Sequence, residues 1–225
     1  MSISYPRLVV LSSAQVDHKK HLCRPITGWG LQGVPYVAVA TGFAGGAFVT
    51  ATRSEAGRAA DEALITEATK STRAQRWSWD VAEQSGFLFW KRPSLLRGMG
   101  DPMVPIPEMT TDGGGIDDLA TELALIPDAM REACATLKTD TLFVVVPKRG
   151  WLLVSRGQLG NPFAPEPMHQ AASGIASRAG RSVVAGNVVL LWKDGHMAGV
   201  FGRDGSEHWT SLQGEEESTW WPEEK

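Results

Sequence analysis

Apolar and polar positions alternate along the chain in short blocks, and the blocks predict strands more often than helices. Residues 6–11 read as a first short strand. Residues 34–41 (VPYVAVAT) are apolar and β-branched, so they read as a second. Gly42, Gly45 and Gly46 interrupt that run before residues 47–52 resume it, which is the pattern of a hairpin with a glycine loop. A helix is expected next. Thr52 and Glu55 have capping-box spacing, and Ala56, Ala59, Ala60, Ala63, Leu64 and Ala68 recur at helical spacing. Trp77-Ser78-Trp79 alternates as a strand does, and residues 86–91 (GFLFWK) predict another.

Residues 93–115 are dense in proline and glycine and form the best linker candidate. Residues 116–124 and 127–138 then read as helical, with Pro127 suited to a first helical position. Residues 141–146 (TLFVVV) are apolar throughout, so both faces of that strand should be buried. Pro147-Lys148-Arg149-Gly150 turns the chain, and residues 151–155 return. A helix over residues 168–179 should stop at Gly180, because glycine takes the left-handed conformation without a Cβ clash. Residues 183–192 and 196–201 flank Asp194-Gly195, a strong two-residue hairpin signal.

These elements predict an α+β fold, mainly antiparallel hairpins packed on a few helices. Residues 34–91 and 141–193 share the order strand, strand, helix, strand, ending in Phe89-Trp90-Lys91 and Leu191-Trp192-Lys193. The chain therefore reads as two related halves, 1–110 and 111–225, packed as one domain or two.

The order of elements and several local patterns resemble the YtpQ-type family of uncharacterised bacterial proteins. The matching stretch is the helix 127–138, the strand ending Val146-Pro147, the returning strand 151–154, and the terminal hairpin at Asp194-Gly195. Residues 36–90 resemble that family's preceding segment. The resemblance implies the same fold class and carries no catalytic residue over.

Composition narrows the function classes. A net charge of −3 argues against a nucleic-acid backbone binder, which carries a basic surplus. No apolar run approaches the length of a membrane span, and two cysteines cannot build a disulfide framework. A reducing cytoplasm is the expected compartment, with both thiols free.

No motif for catalysis stands out. Gly28-Trp29-Gly30-Leu31-Gln32-Gly33 matches the dinucleotide-binding glycine pattern, but a strand is expected after it where that chemistry needs a helix N-terminus. No cofactor is expected. His18, His21 and Cys23 cluster locally without the second ligand pair of a zinc site. A Cys23 nucleophile activated by a nearby histidine, or His169 acting with Ser173, would make the chain a hydrolase. Basic and aromatic residues meet at Lys91, Arg92 and Arg97 near Trp90, and at Lys148-Arg149 beside Trp151.

Nine tryptophans against two tyrosines is the remaining anomaly. Core filling explains it, and so does a recognition surface, where tryptophan is enriched. The first functional expectation is a non-catalytic interaction or adaptor module with a protein partner, its surface drawn from Trp77, Trp79, Trp220 and Trp221; the hydrolase is the alternative. The acidic tail, with Glu215-Glu216-Glu217 and Glu223-Glu224 around Trp220 and Trp221, is expected to dock on the protein's own sheet or on a partner.

Overall fold

A computed structural model describes residues 5–27, 33–44, 47–55, 57–81, 95–100, 119–158, 165–186, 188–201 and 207–209. The fold is α+β, with two antiparallel sheets and three α-helices among these residues. No helix among them is long and apolar enough to cross a membrane.

The first sheet holds β1 (Arg7–Leu11), β2 (Cys23–Pro25), β3 (Tyr36–Ala44) and β4 (Ala47–Thr50). Strand β3 lies between β1 and β2 and also pairs with β4. Alternation decides its two faces. Leu8 and Val10 of β1 join Val37 and Val39 in the main core, while Val9 and Leu11 pack with Cys23, Ala38 and Ala40 on the other side. Gly42 does not end β3 as expected. It lies inside the strand beside a register shift between Ala40 and Gly42, where a bulge absorbs the irregularity.

Helix α1 spans Arg58–Arg73, starting later than the capping-box spacing implies. Thr52 lies in an isolated bridge with His21, and the helix begins only at Arg58, too far along the chain for Thr52 to cap it. Gly57, at φ +91°, makes the turn into the helix instead, and the Asp61 carboxylate accepts the Ser54 backbone N–H at 2.8 Å. The buried stripe is Ile65, Ala68, Thr69 and Thr72, whereas Ala59, Ala60 and Ala63 face solvent. Alanine favours a helix anywhere. Contact with β1 decides which residues are covered.

The second sheet comprises β5 (Trp77–Val81), β6 (Leu95–Gly100), β7 (Thr141–Val145), β8 (Leu152–Arg156), β9 (Val189–Lys193), β10 (His196–Phe201) and β11 (Glu207–Trp209). Its order is β11-β10-β9-β7-β8-β6-β5, with every neighbouring pair antiparallel. β7 is the middle strand and is buried on both faces, as its unbroken apolar run requires. Leu142 and Val144 point into the main core, and Phe143 and Val145 point toward α3 (Glu166–Ala176). Helix α2 (Pro127–Leu137) has Pro127 in its first turn and closes at Lys138 in the left-handed conformation, φ 54°.

Three further elements differ from expectation. Residues 120–125 form a 3-10 turn, Ala120–Leu125, laid directly on β6. Gly98 permits that approach, since a Cβ there would stand 2.9 Å from Leu123 Cδ1. Helix α3 ends at Ala176, and Gly180 opens a short 3-10 turn rather than closing the helix. The strand expected from residue 183 begins only at Val189, because the Val184 and Ala185 N–H groups bond to the carbonyls of Pro147 and Val146. The Asp194-Gly195 hairpin is as read, with φ of 51° and 91°. The strand expected at 86–91 lies outside the described residues. Part of the expected linker is β6.

The strand that closes the first repeat, residues 86–91, lies outside the described residues; in the second repeat the closing strand β9 pairs with β7. The second sheet takes β5 and β6 from before residue 110 and its remaining strands from after it.

Candidate interaction surface

The two sheets meet at a buried polar seam built along the free edge of β1. Its outward N–H groups find side-chain partners rather than another strand: Leu8 donates to Thr72 Oγ1 at 2.8 Å, and Val10 donates to Glu122 Oε1 at 3.2 Å. Such a sealed edge resists strand addition. The Arg7 guanidinium donates to Gln75 Oε1, and the Gln75 amide donates to the Leu119 carbonyl at 2.8 Å. Thr121 Oγ1 accepts the Gly150 N–H at 2.9 Å. Burial pushes the Tyr5 phenol above its ordinary pKa, with Arg7 and Arg149 pulling it down and Glu122 pushing it up. Charges of both signs therefore share this seam, which ties the first sheet to the turn between β7 and β8.

That turn carries the most distinctive chemistry. The Arg149 N–H donates to the Ser182 carbonyl at 2.9 Å and the Trp151 N–H to the Lys148 carbonyl at 3.1 Å, so its backbone is fixed. Gly150, at φ 74°, supplies a conformation other side chains resist. In the register of β6 with β8, Arg97 lies opposite Leu153, which makes it a diagonal neighbour of Trp151 on one face of the sheet. The Arg97 guanidinium carbon is 4.3 Å from the Trp151 ring centroid, and Lys148 Nζ is 5.3 Å from it. Arg149 lies over Phe43 and Phe48, at 5.1 and 5.7 Å, and those two rings meet edge to face. Among the described residues, Arg97 and Lys148 meet no carboxylate within ion-pair distance. The indole face holds them in place of an acid.

The structure thus joins halves of two basic–aromatic patches that the sequence presents separately. Arg97 belongs with Trp151, fifty-four positions later, and only strand pairing shows it. Lys91, Arg92 and Trp90 lie outside the described residues.

Trp77 and Trp79 are half-buried against α2. Their indole N–H groups donate to Glu132 Oε2 at 2.9 Å and to the Ala129 carbonyl at 3.2 Å. Trp220 and Trp221 lie outside the described residues. The glycine pattern at 28–33 is described only at Gly33, and β3 follows it, a strand rather than a helix.

Cys23 is buried in the outer face of the first sheet, and burial raises its thiol pKa, opposite to what a nucleophile needs. His21 Nδ1 is occupied, accepting the Asp17 N–H at 3.0 Å. His169 is buried while Ser173 is exposed on the same helix. No group of three or more metal-type ligands gathers among the described residues.

Both thiols are free. Burial first, then Asp140, pushes the Cys134 thiol up to about 11. A thiol whose folded pKa exceeds its unfolded value stays protonated in the fold while the unfolded chain ionises. Stability from this group is therefore present below about pH 9 and lost as pH rises toward 11. Alkylation followed against pH should show Cys134 reacting only above pH 10, with the denatured chain reacting some two units lower.

No family model, curated protein or solved structure matches the chain.

Proposed function

We propose that the protein is a non-catalytic protein-interaction module that binds an acidic segment of its partner at the β7–β8 turn. The carrying observation is Trp151 flanked by Arg97 and Lys148, two cations that lie over an aromatic face and, among the described residues, meet no carboxylate at ion-pair distance. Their N–H donors remain suited to external carboxylates, and a guanidinium accepts one in bidentate fashion. A nucleic-acid base is the poorer occupant, because stacking on Trp151 would displace the cations already over it.

The test is fluorescence anisotropy of a labelled hexaglutamate peptide with the full chain. Binding should weaken at least tenfold in Arg97→Glu/Lys148→Glu and in Trp151→Ala, and should fall as salt is raised. Both variants should melt within a few degrees of the parent, since these side chains are only half-buried. Equal binding by parent and variants overturns the proposal. So does tighter binding of single-stranded oligonucleotides than of the peptide.

A further inference from the structure

The basic surface has a carboxylate beside it on the edge strand of the same sheet. Asp80 of β5 lies directly opposite Arg97 of β6 in an antiparallel pair. Residues so placed point to one face, with Cβ atoms about 5 Å apart. That face is the outer one. Trp77 and Trp79 turn toward α2, and Ser78 and Asp80, which alternate with them, are exposed. The Arg97 guanidinium nevertheless lies over Trp151, on the β8 side. Among the described residues, Asp80 meets no cation at ion-pair distance. We infer that the surface takes an extended partner segment of mixed charge: its acidic residues meet Arg97 and Lys148 beside Trp151, and a basic residue a few positions away meets Asp80. This rests on the proposed function and names the chemistry of the partner segment more closely.

Three observations support it. The first is charge. A carboxylate one strand from Arg97 repels a uniformly acidic ligand, so the surface discriminates among acidic segments as well as attracting them. The second is spacing. From β5 to β8 is two strand steps, about 10 Å. Trp151 stands two residues along β8 from Leu153, the partner of Arg97, which adds about 7 Å lengthwise. Asp80 and Trp151 are therefore about 12 Å apart at the backbone. Same-side residues of an extended peptide recur about every 7 Å, so an acid and a base two to four positions apart span that distance. The third is the floor between the charges. Met99 follows Arg97 on the same face, opposite Ser78, and is half-buried. With Trp151 it offers apolar surface to the aliphatic stem of a lysine or arginine reaching for Asp80.

The probes are labelled peptides blocked at both ends: hexaglutamate, hexaglutamate extended through one glycine by a lysine at either end, and the same two extensions with glutamine for the lysine. A purely basic surface binds the lysine peptides less tightly than their controls, because their net negative charge is smaller. The full chain should instead bind one of the two lysine peptides about threefold more tightly than its glutamine control, the effect of one exposed ion pair. Asp80→Asn should erase that preference and bind hexaglutamate more tightly than the parent does. Asp80→Lys should reverse it, favouring the glutamine control. Both variants should melt within a few degrees of the parent, since the side chain is exposed. A lysine preference that persists in Asp80→Asn overturns the inference. So does the absence of any preference in the parent, and if hexaglutamate binding is still lost in Arg97→Glu/Lys148→Glu the proposed function stands. If no peptide binds the full chain, both fall.

Discussion

Val144→Asp is expected to leave no folded protein in the soluble fraction. Val144 is fully buried in the middle strand of the second sheet, opposite Val154 on one side and Leu190 on the other. Its side chain enters the main core, which α2 and the first sheet complete. The described residues packed around it are apolar, and an unpaired buried charge costs several kcal/mol or more. A domain with about 5–15 kcal/mol of total stability has little margin against that. Val144→Ala separates the charge from the volume. It should fold, with stability reduced by about 2 kcal/mol in urea titration. Normal melting of Val144→Asp would mean that β7 does not lie in the core.

Glu122→Leu should lower the unfolding free energy by about 3–5 kcal/mol, the range seen when one member of a buried charged group is removed. The side chain is fully buried, so no water can replace it. Its loss takes away the Oε1 acceptor of the Val10 N–H and removes a buried negative charge from a seam that also holds Arg7 and Arg149. Glu122→Gln keeps an acceptor for Val10 and removes only the charge, so its loss should be smaller. Urea unfolding of the three proteins side by side checks the order. The leucine variant should also expose the β1 edge, and light scattering at rising concentration should show more self-association than in the parent. If Leu and Gln prove equally costly, the charge and not the strand-edge hydrogen bond dominates.

How far the residues announce all this differs from element to element. The central strand was legible because an unbroken apolar run has no polar face to show water. Pro127 marked the start of α2, and Asp194-Gly195 marked its hairpin, because proline fixes φ and paired positive φ selects few residues. The start of α1 was misread. Thr52 has the right chemistry for a cap, but its backbone pairs with His21, thirty-one residues earlier, and the helix begins only at Arg58. The alanines of α1 likewise show helix propensity and not burial.

The chemistry of the surface divides the same way. Lys148, Arg149 and Trp151 are adjacent in sequence, so their cluster could be read directly. Arg97 belongs to it only because β6 pairs with β8. Glu122 carries no signal in its own neighbourhood, Ala120-Thr121-Glu122-Leu123, that sets it apart from a solvated glutamate on a helix. Its role appears when the 3-10 turn settles over Gly98 and presents it to the edge of β1.

The sequence by itself determined the α+β class, the central strand and the Asp194-Gly195 turn, because each depends on local periodicity or backbone preference. Only the tertiary structure decided which strands share a sheet, which face of α1 is covered, and which charges meet aromatic rings. Those outcomes depend on contacts between residues far apart in the chain, and local pattern carries no information about which distant segment will supply the other half of a contact.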